Sequence, residues 1–428
     1  MIPDPVLAAP PDRGGPAGRA SPAPDSGARR RTAPLRLFLM TGLILGGFAY
    51  NAWWYWRDTR PLADLRKIEI WIGNREYGDA RKELGEHLRR APHDGAARIM
   101  LARVLAARGN LTGCIRELQQ VPTWWPKKDE ALYRQGQAYL MLNRARDAEA
   151  ALLAVIDADP LHPADPAIFH DASQELLSLY ATEDRWDDAH VILWKVYDRS
   201  PPEDRPTVLA MRIQSELERI APTESTKLLR RYVAADPDDW EARRALANAE
   251  LALGQRAEAL RDLRDCLDAR PEDPRLWRDY LTMLQSLGEV DDFNAVLDRV
   301  PALAETEPDL WIFRAQARER AGDWTTAAAH YRRALELNPN LLNAHYRLAN
   351  IEGRLGHSIE AAAHRKRWQE LHEARSALRQ AFGAYFEAQK SLPNDSPELL
   401  ASIRRLASIC QTLGWSRAAD GWSRLAGP

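Results

Sequence analysis

The sequence predicts an all-α solenoid of stacked helix-turn-helix units preceded by one N-terminal transmembrane helix. Three observations carry this reading. Gly254, Gly288, Gly322 and Gly356 stand at an unbroken spacing of 34 residues, each closing one helical segment and opening another. In units counted from 240, 274, 308 and 342, and in earlier ones from 61, 95 and 129, the eighth position is small or apolar. Ahead of all of them, Leu37 to Trp56 form 20 residues without a charge. A fixed period of this length marks a chain that stacks one supersecondary unit on the next and buries each unit's apolar face against its neighbours.

The first 34 residues hold eight prolines and almost no large apolar side chain. They cannot bury enough surface to offset ordering entropy, so residues 1–34 are expected to be a disordered, Pro-rich tail. Residues 35–57 follow as the expected anchor: a helix of that length reaches roughly 30 Å, the thickness of a bilayer's hydrocarbon layer. The run ends in Trp53, Trp54, Tyr55 and Trp56, rings suited to the membrane interface. A cleaved signal peptide is the competing reading, with Gly47-Phe48-Ala49 as the small-residue site, but the long leader and the aromatic belt favour retention. The cluster Arg29, Arg30, Arg31 and Arg36 favours a cytoplasmic N-terminus, which puts the helical part outside the cytoplasm as a single-pass inner-membrane protein. The alternative keeps the helical part cytoplasmic. Within the span Gly42 and Gly46 form a GxxxG step that lets two helices approach and can pair protomers.

Residues 61–203 read as an N-terminal array and residues 206–375 as a C-terminal array, followed by C-terminal helices with a partial capping unit over 376–428. Twelve positions after the first small residue another usually follows, as in Ala80, Cys114, Ala148, Ala259, Ala327 and Ala361. Small side chains there let two antiparallel helices approach closely. Pro92, Pro126, Pro160, Pro237, Pro271 and Pro339 close units at the 32nd position, stopping the second helix. The period is disturbed at residues 163–169, which intrude before a unit beginning at His170, and in the unit from 206, with Ser225 for the usual Ala and Pro222 near the turn. Phe293 also stands where a small residue is expected.

These residues resemble the tetratricopeptide repeat (TPR) family. Residues 129–162 show Leu132, Gly136, Tyr139, Ala148, Leu152 and Pro160, and residues 308–341 show Trp311, Ala315, Gly322, Ala327, Tyr331, Ala334 and Pro339. The resemblance covers about 61–375, with a partial unit near 397–428. It implies a right-handed superhelix of nine full units and one partial unit whose concave wall takes protein partners.

No P-loop, HExxH, GxSxG, GxGxxG or EF-hand spacing occurs, and the repeats leave no stretch for a catalytic domain. No enzyme activity, cofactor or metal is therefore expected. Cys114, Cys266 and Cys410 are too dispersed for a local metal or redox motif and fall on inward-facing positions. His357 and His364, about two turns apart, lack a further close ligand. With a net charge of −2, divided as +3 over residues 1–56 and −5 beyond, no nucleic-acid partner is implied.

The expected site is the concave wall. Position nine of successive units is Gln137, Ser178, Gln214, Asn248, Thr282, Gln316 and Asn350, all neutral hydrogen-bonding side chains able to pair with an extended peptide. Arg244 and Arg278, one turn away, are expected to face solvent and supply charge to an acidic or C-terminal group. The family's carboxylate clamp is only half present: Arg244 and Asn248 resemble its first pair, but Asp279, Asp309 and Phe313 stand where amide and basic groups are needed. The expectation is a non-catalytic, membrane-tethered scaffold that captures a protein segment for assembly, folding or secretion of envelope proteins. The alternatives are a subunit that positions a separate enzyme, and a cytoplasmic membrane-bound adaptor.

Overall fold

A computed structural model describes residues 48–49, 62–159, 162–301, 306–393 and 395–427. The chain divides into two units, residues 1–62 and 63–428. The expected span, with Gly42 and Gly46, lies outside the described residues apart from Phe48 and Ala49, which are helical and exposed. Among the described residues no helix is long and apolar enough to cross a membrane.

The second unit is an all-α, TPR-like solenoid of twenty helices, with no strand among the described residues. In chain order these are α1 (Leu65–Gly73), α2 (Tyr77–Arg90), α3 (Gly95–Ala107), α4 (Leu111–Gln119), α5 (Lys128–Met141), α6 (Ala145–Ile156), α7 (Pro166–Thr182), α8 (Trp186–Arg199), α9 (Arg205–Leu217) and α10 (Pro222–Ala235). There follow α11 (Trp240–Ala252), α12 (Arg256–Ala269), α13 (Pro274–Leu287), α14 (Val290–Leu297), α15 (Pro308–Arg320), α16 (Trp324–Leu337), α17 (Leu342–Arg354), α18 (Ser358–Ser391), α19 (Pro397–Thr412) and α20 (Ser416–Leu425). Taken two at a time along the chain they give ten units, nine of which pack as helix-turn-helix pairs.

Each pair needs a reversal of the chain, and a left-handed residue makes it. Gly109, Gly254, Gly288, Gly322, Gly356 and Gly414 have φ of 75–84°, while Arg75, Asn143 and Asp184 reach φ of 52–64° at the same place in units without the glycine. The unit from 206 has Ile220 there, and its φ is not positive. A β-branched side chain is a strained occupant of the left-handed region. The chain instead leaves α9 extended, with Glu218 at φ −126° and ψ 124°, and Pro222 starts α10 at its first turn, where the missing N–H costs nothing.

The two helices of this unit consequently bury their apolar faces in different places. Leu229 and Tyr232 of α10 join Leu179 of α7 and Ala242, Ala245 and Leu246 of α11. Val208, Leu209 and Ile213 of α9 join Leu193 and Tyr197 of α8 and a large cluster from the C-terminus, including Leu378, Phe382 and Tyr385 of α18, Leu406 of α19 and Trp422 of α20. Gly421 sits so close that a Cβ there would lie 2.8 Å from Leu209 and 3.1 Å from the Tyr197 hydroxyl. Arg417 pairs with Asp198 at 2.5 Å, and Arg379 donates to the Leu217 carbonyl at 3.0 Å. The C-terminal pair thus returns to the middle of the chain and closes residues 205–427 into a ring.

Three expectations are corrected here. The divide between arrays falls at 218–221 and not at 203–206, because α9 stays with α8 while α10 packs on α7 and α11. Residues 166–169 do not stand outside the unit expected to begin at His170: Asp165 accepts a hydrogen bond from the Ala167 amide at 2.9 Å and the added residues lengthen α7 by a turn. The boundary at 375 lies inside α18, which runs 34 residues because Glu373 replaces the closing proline. Other readings hold. All three cysteines are buried, and Phe293 is accommodated edge-on against Phe313 at 5.8 Å.

A recurring latch ties four of the units to the one before. The side chain at position four donates to the carbonyl of the proline six residues earlier: Arg98 to Pro92 (2.9 Å), Arg243 to Pro237 (2.5 Å), Trp277 to Pro271 (2.7 Å) and His345 to Pro339 (3.0 Å). His345 Nε2 is the donor to Pro339, so its Nδ1 accepts from His364 Nδ1, 3.0 Å away. Burial lowers the pKa of both rings. Since the folded state favours neutral imidazoles, this latch contributes fully above the unfolded pKa of about 6.5 and is lost as pH falls below it. Between about pH 7.5 and about pH 5 the wild-type Tm should fall further than that of His364→Gln, by about 2 °C; parallel Tm–pH curves in thermal denaturation would contradict this.

Candidate functional site

The opening of the α9–α10 unit leaves a cleft where a helix pair would otherwise fill space. One chamber of ≈350 Å³ is lined mainly by Leu177, Trp186, Leu193, Met211 and Ile220, with Gln214 and Glu218 at its polar side. An adjoining chamber of ≈490 Å³ is lined by Thr182, Asp184, Ser225, Asn248 and Arg278. The two share Trp186, Arg219 and Ile220. Trp186 is fixed from two sides: its indole N–H donates to Asp184 at 2.6 Å, and the Arg219 guanidinium lies 4.4 Å over its ring while also pairing with Asp184 at 3.1 Å. Met211 and Ile220, each 37% exposed, are the large apolar groups that the cleft leaves accessible to a partner.

Beneath the second chamber runs a network of charges. Arg185 pairs with Glu149 (2.7 Å), Glu183 (3.1 Å) and Asp188 (2.7 Å), and Arg275 bridges Glu241 (2.7 Å) and Asp273 (2.9 Å). Arg244 is 2% exposed and holds Asp279 (2.7 Å), Glu241 (3.3 Å) and the carbonyl of Glu183 (3.2 Å), 61 residues away. The network crosses from α6 and α8 to α11 and α13, so it is the joint between the two arrays. Burial pushes the Glu183 carboxyl up to about 8 against the pull of Arg185. At 2% exposure and with Arg185 on its oxygen, that group has no path to a substrate and belongs to the joint.

The structure brings Arg244, Asn248 and Arg278 together, but around a carboxylate of the chain itself. Asp279 accepts from Arg244 (2.7 Å), from Asn248 (2.9 Å) and from Arg278 (3.1 Å). Burial alone would raise the Asp279 carboxyl; the Arg244 and Arg278 guanidiniums overcome it and hold it below the usual carboxylate range. The expectation that Arg244 faces solvent is therefore corrected. Its guanidinium is committed to structure, because a carboxylate as buried as Asp279 requires a paired cation. Arg278 keeps an edge on the cleft.

The rest of the position-nine row is accessible, though largely engaged within the chain. Gln137 donates to the Tyr133 hydroxyl (2.8 Å), Thr282 to the Arg278 carbonyl (2.8 Å), and Gln316 accepts from Gln285 (2.5 Å). Asn350 is exposed. Gln214 lines a different chamber from Asn248, since α9 has left the stack. Sequence reasoning missed Trp186, Met211, Arg219 and Ile220, and the available signal was a β-branched residue at the one turn lacking Gly, Asn, Asp or Arg.

Tetratricopeptide repeat family models match residues 72–121, 130–162, 222–274, 250–317 and 308–351. Residues 163–221, which hold α7 to α9 and the cleft's apolar side, fall between the matched segments. No curated protein sequence matches the chain. Similar solved structures include MamA from Desulfovibrio magneticus RS-1, 20% identical, covering 39% of this chain and 95% of that one at a TM-score of 0.32. A tetratricopeptide repeat protein from Parabacteroides merdae ATCC 43184 is 14% identical, with 67% and 96% covered and a TM-score of 0.30. A monomeric mutant of IFIT1 is 15% identical, with 78% and 90% covered and a TM-score of 0.33.

Removing one member of a buried charge cluster leaves the others unpaired. Arg244→Ala should lower stability by about 3 kcal/mol, whereas Arg278→Ala, at the edge of the same cluster, should cost less than about 1 kcal/mol. Urea denaturation of the two variants checks this, and equal midpoints would remove the assignment of Arg244 to the joint.

Proposed function

We propose that the protein is a non-catalytic scaffold, tethered to the membrane by residues 35–57, that captures a protein segment in the cleft beside α9. The supporting observation is the pair of adjoining chambers, apolar around Met211 and Ile220 and polar around Asn248 and Arg278. A segment that inserts an apolar side chain beside Trp186 and pairs its backbone or an acidic group with Asn248 and Arg278 satisfies both. The matched repeats support protein binding as the class of function. The tether, its cytoplasmic N-terminus, the extracytoplasmic location of the repeats and pairing of protomers through Gly42 and Gly46 rest on the sequence of the span. The reading retains assembly, folding or secretion of envelope proteins as the process served.

The test is crosslinking in the native membrane followed by purification of the full chain and identification of what is held. Met211→Glu with Ile220→Glu should weaken capture of the identified protein about tenfold, equivalent to about 1.4 kcal/mol, while Asn350→Ala, remote from the cleft, should leave it unchanged. Wild-type capture by the double variant removes the cleft as the site. External protease on intact spheroplasts should digest the repeats; protection until the membrane is opened reverses the proposed topology.

A further inference from the structure

The unit from 342 departs from the others at one register position. Val121, Val155, Cys266, Val300 and Ala334 occupy the 27th position of their units and are all buried against the next unit. In this unit the position is Trp368, which is only half-buried. No proline closes the unit, and α18 continues past the place where a following unit would begin. Trp368 is flanked by aromatic neighbours: Tyr346 of α17, 48% exposed, at 5.6 Å, and His372 stacked at 5.4 Å with an interplanar angle of 21°.

Arg365 and Arg375 extend this ladder along α18. The spacing 365, 368, 372, 375 puts all four on one helix face. Both arginines are exposed. Neither makes an ion pair among the described residues, whereas their neighbour Arg367 is engaged with Glu370 (3.0 Å), Asn340 (2.6 Å) and the Thr412 carbonyl (2.8 Å). The nearby Glu370 and Glu373 lie off this face, occupied by Arg367 and Gln369. An accessible aromatic ladder flanked by two uncompensated guanidiniums is a surface rich in the residue types that dominate binding energy.

We propose that Tyr346, Trp368 and His372, with Arg365 and Arg375, form a second docking face, and that it takes an acidic amphipathic protein segment. The apolar side of that segment covers the ladder where a further unit's helix would otherwise pack, and its carboxylates pair with the two arginines. Charge decides the class of partner: the face carries two free cations and no carboxylate. A nucleic acid, which draws most of its affinity from many phosphate contacts, fits a two-arginine patch on a chain of net charge −2 poorly. None of these five residues lines either chamber of the cleft beside α9.

Full-length protein in detergent is titrated with a fluorescent peptide bearing Glu on one helical face and Leu on the other, with its Lys-for-Glu counterpart, and with an oligo-dT strand. The acidic peptide should bind, weakening as salt rises. Arg365→Glu with Arg375→Glu should reduce its affinity at least about tenfold, and Trp368→Ala should do so without altering the salt dependence. Because the arginines are exposed, unchanged circular dichroism is expected for the double variant. Met211→Glu with Ile220→Glu should leave this binding untouched. The proposal is overturned if the Lys peptide binds as well as the acidic one, if the arginine variant retains wild-type affinity, or if only oligo-dT binds.

Discussion

A helix pair of this solenoid closes only where one residue between its helices adopts the left-handed conformation. Glycine does so without steric cost, and Asn or Asp at little. Where Ile220 stands, the reversal is not made, and α9 is left with an apolar face and no partner from its own unit. Burial of Val208, Leu209 and Ile213 against the C-terminal helices meets that need. Each of these side chains contributes on the order of 2 kcal/mol when fully buried. The ring and the cleft behind Ile220 both follow from one unit that cannot fold back on itself.

Opening a unit also removes the stacking that would carry the superhelix through it, and polar chemistry replaces part of that packing. Arg185, Arg244 and Arg275 are threaded among Glu149, Glu183, Asp188, Glu241 and Asp279, linking helices that are far apart in sequence. Such a cluster is geometrically demanding: every buried carboxylate needs its guanidinium in place, so it fixes the relation of α8, α11 and α13 more narrowly than apolar contact does. At the polar side of the cleft Arg278 and Asn248 are oriented by Asp279 beneath them.

Much of this was legible in the sequence, and the remainder has identifiable causes. The glycine spacing located four turns because only a left-handed position imposes glycine at a fixed register; Arg75, Asn143 and Asp184 fill the same role without announcing it. The position-four latch was also readable as a donor six residues after four of the closing prolines, with Leu132 and Pro166 at that place after Pro126 and Pro160. By contrast, the burial of Arg244 depends on the Glu183 carbonyl, and the capture of α9 depends on α20, with Asp198 and Arg417 separated by 219 residues. Repeat periodicity reports on nearest neighbours along the stack, so a contact that skips units leaves no period to detect. For the same reason the apolar side of the cleft, contributed by α7 to α9, was invisible to the position-nine row.

The central claim is that the C-terminal pair closes on α8 and α9. Cysteines introduced at Asp198 and Arg417 test it most directly, because Cys114, Cys266 and Cys410 are buried and do not compete for reagent. Treatment of the full-length double variant with a short bis-maleimide should yield an intramolecular crosslink, seen as a faster-migrating monomer, in native conditions and not after unfolding in urea. Absence of the crosslink in the native protein, with both cysteines shown to react with a monofunctional maleimide, would contradict the closed ring.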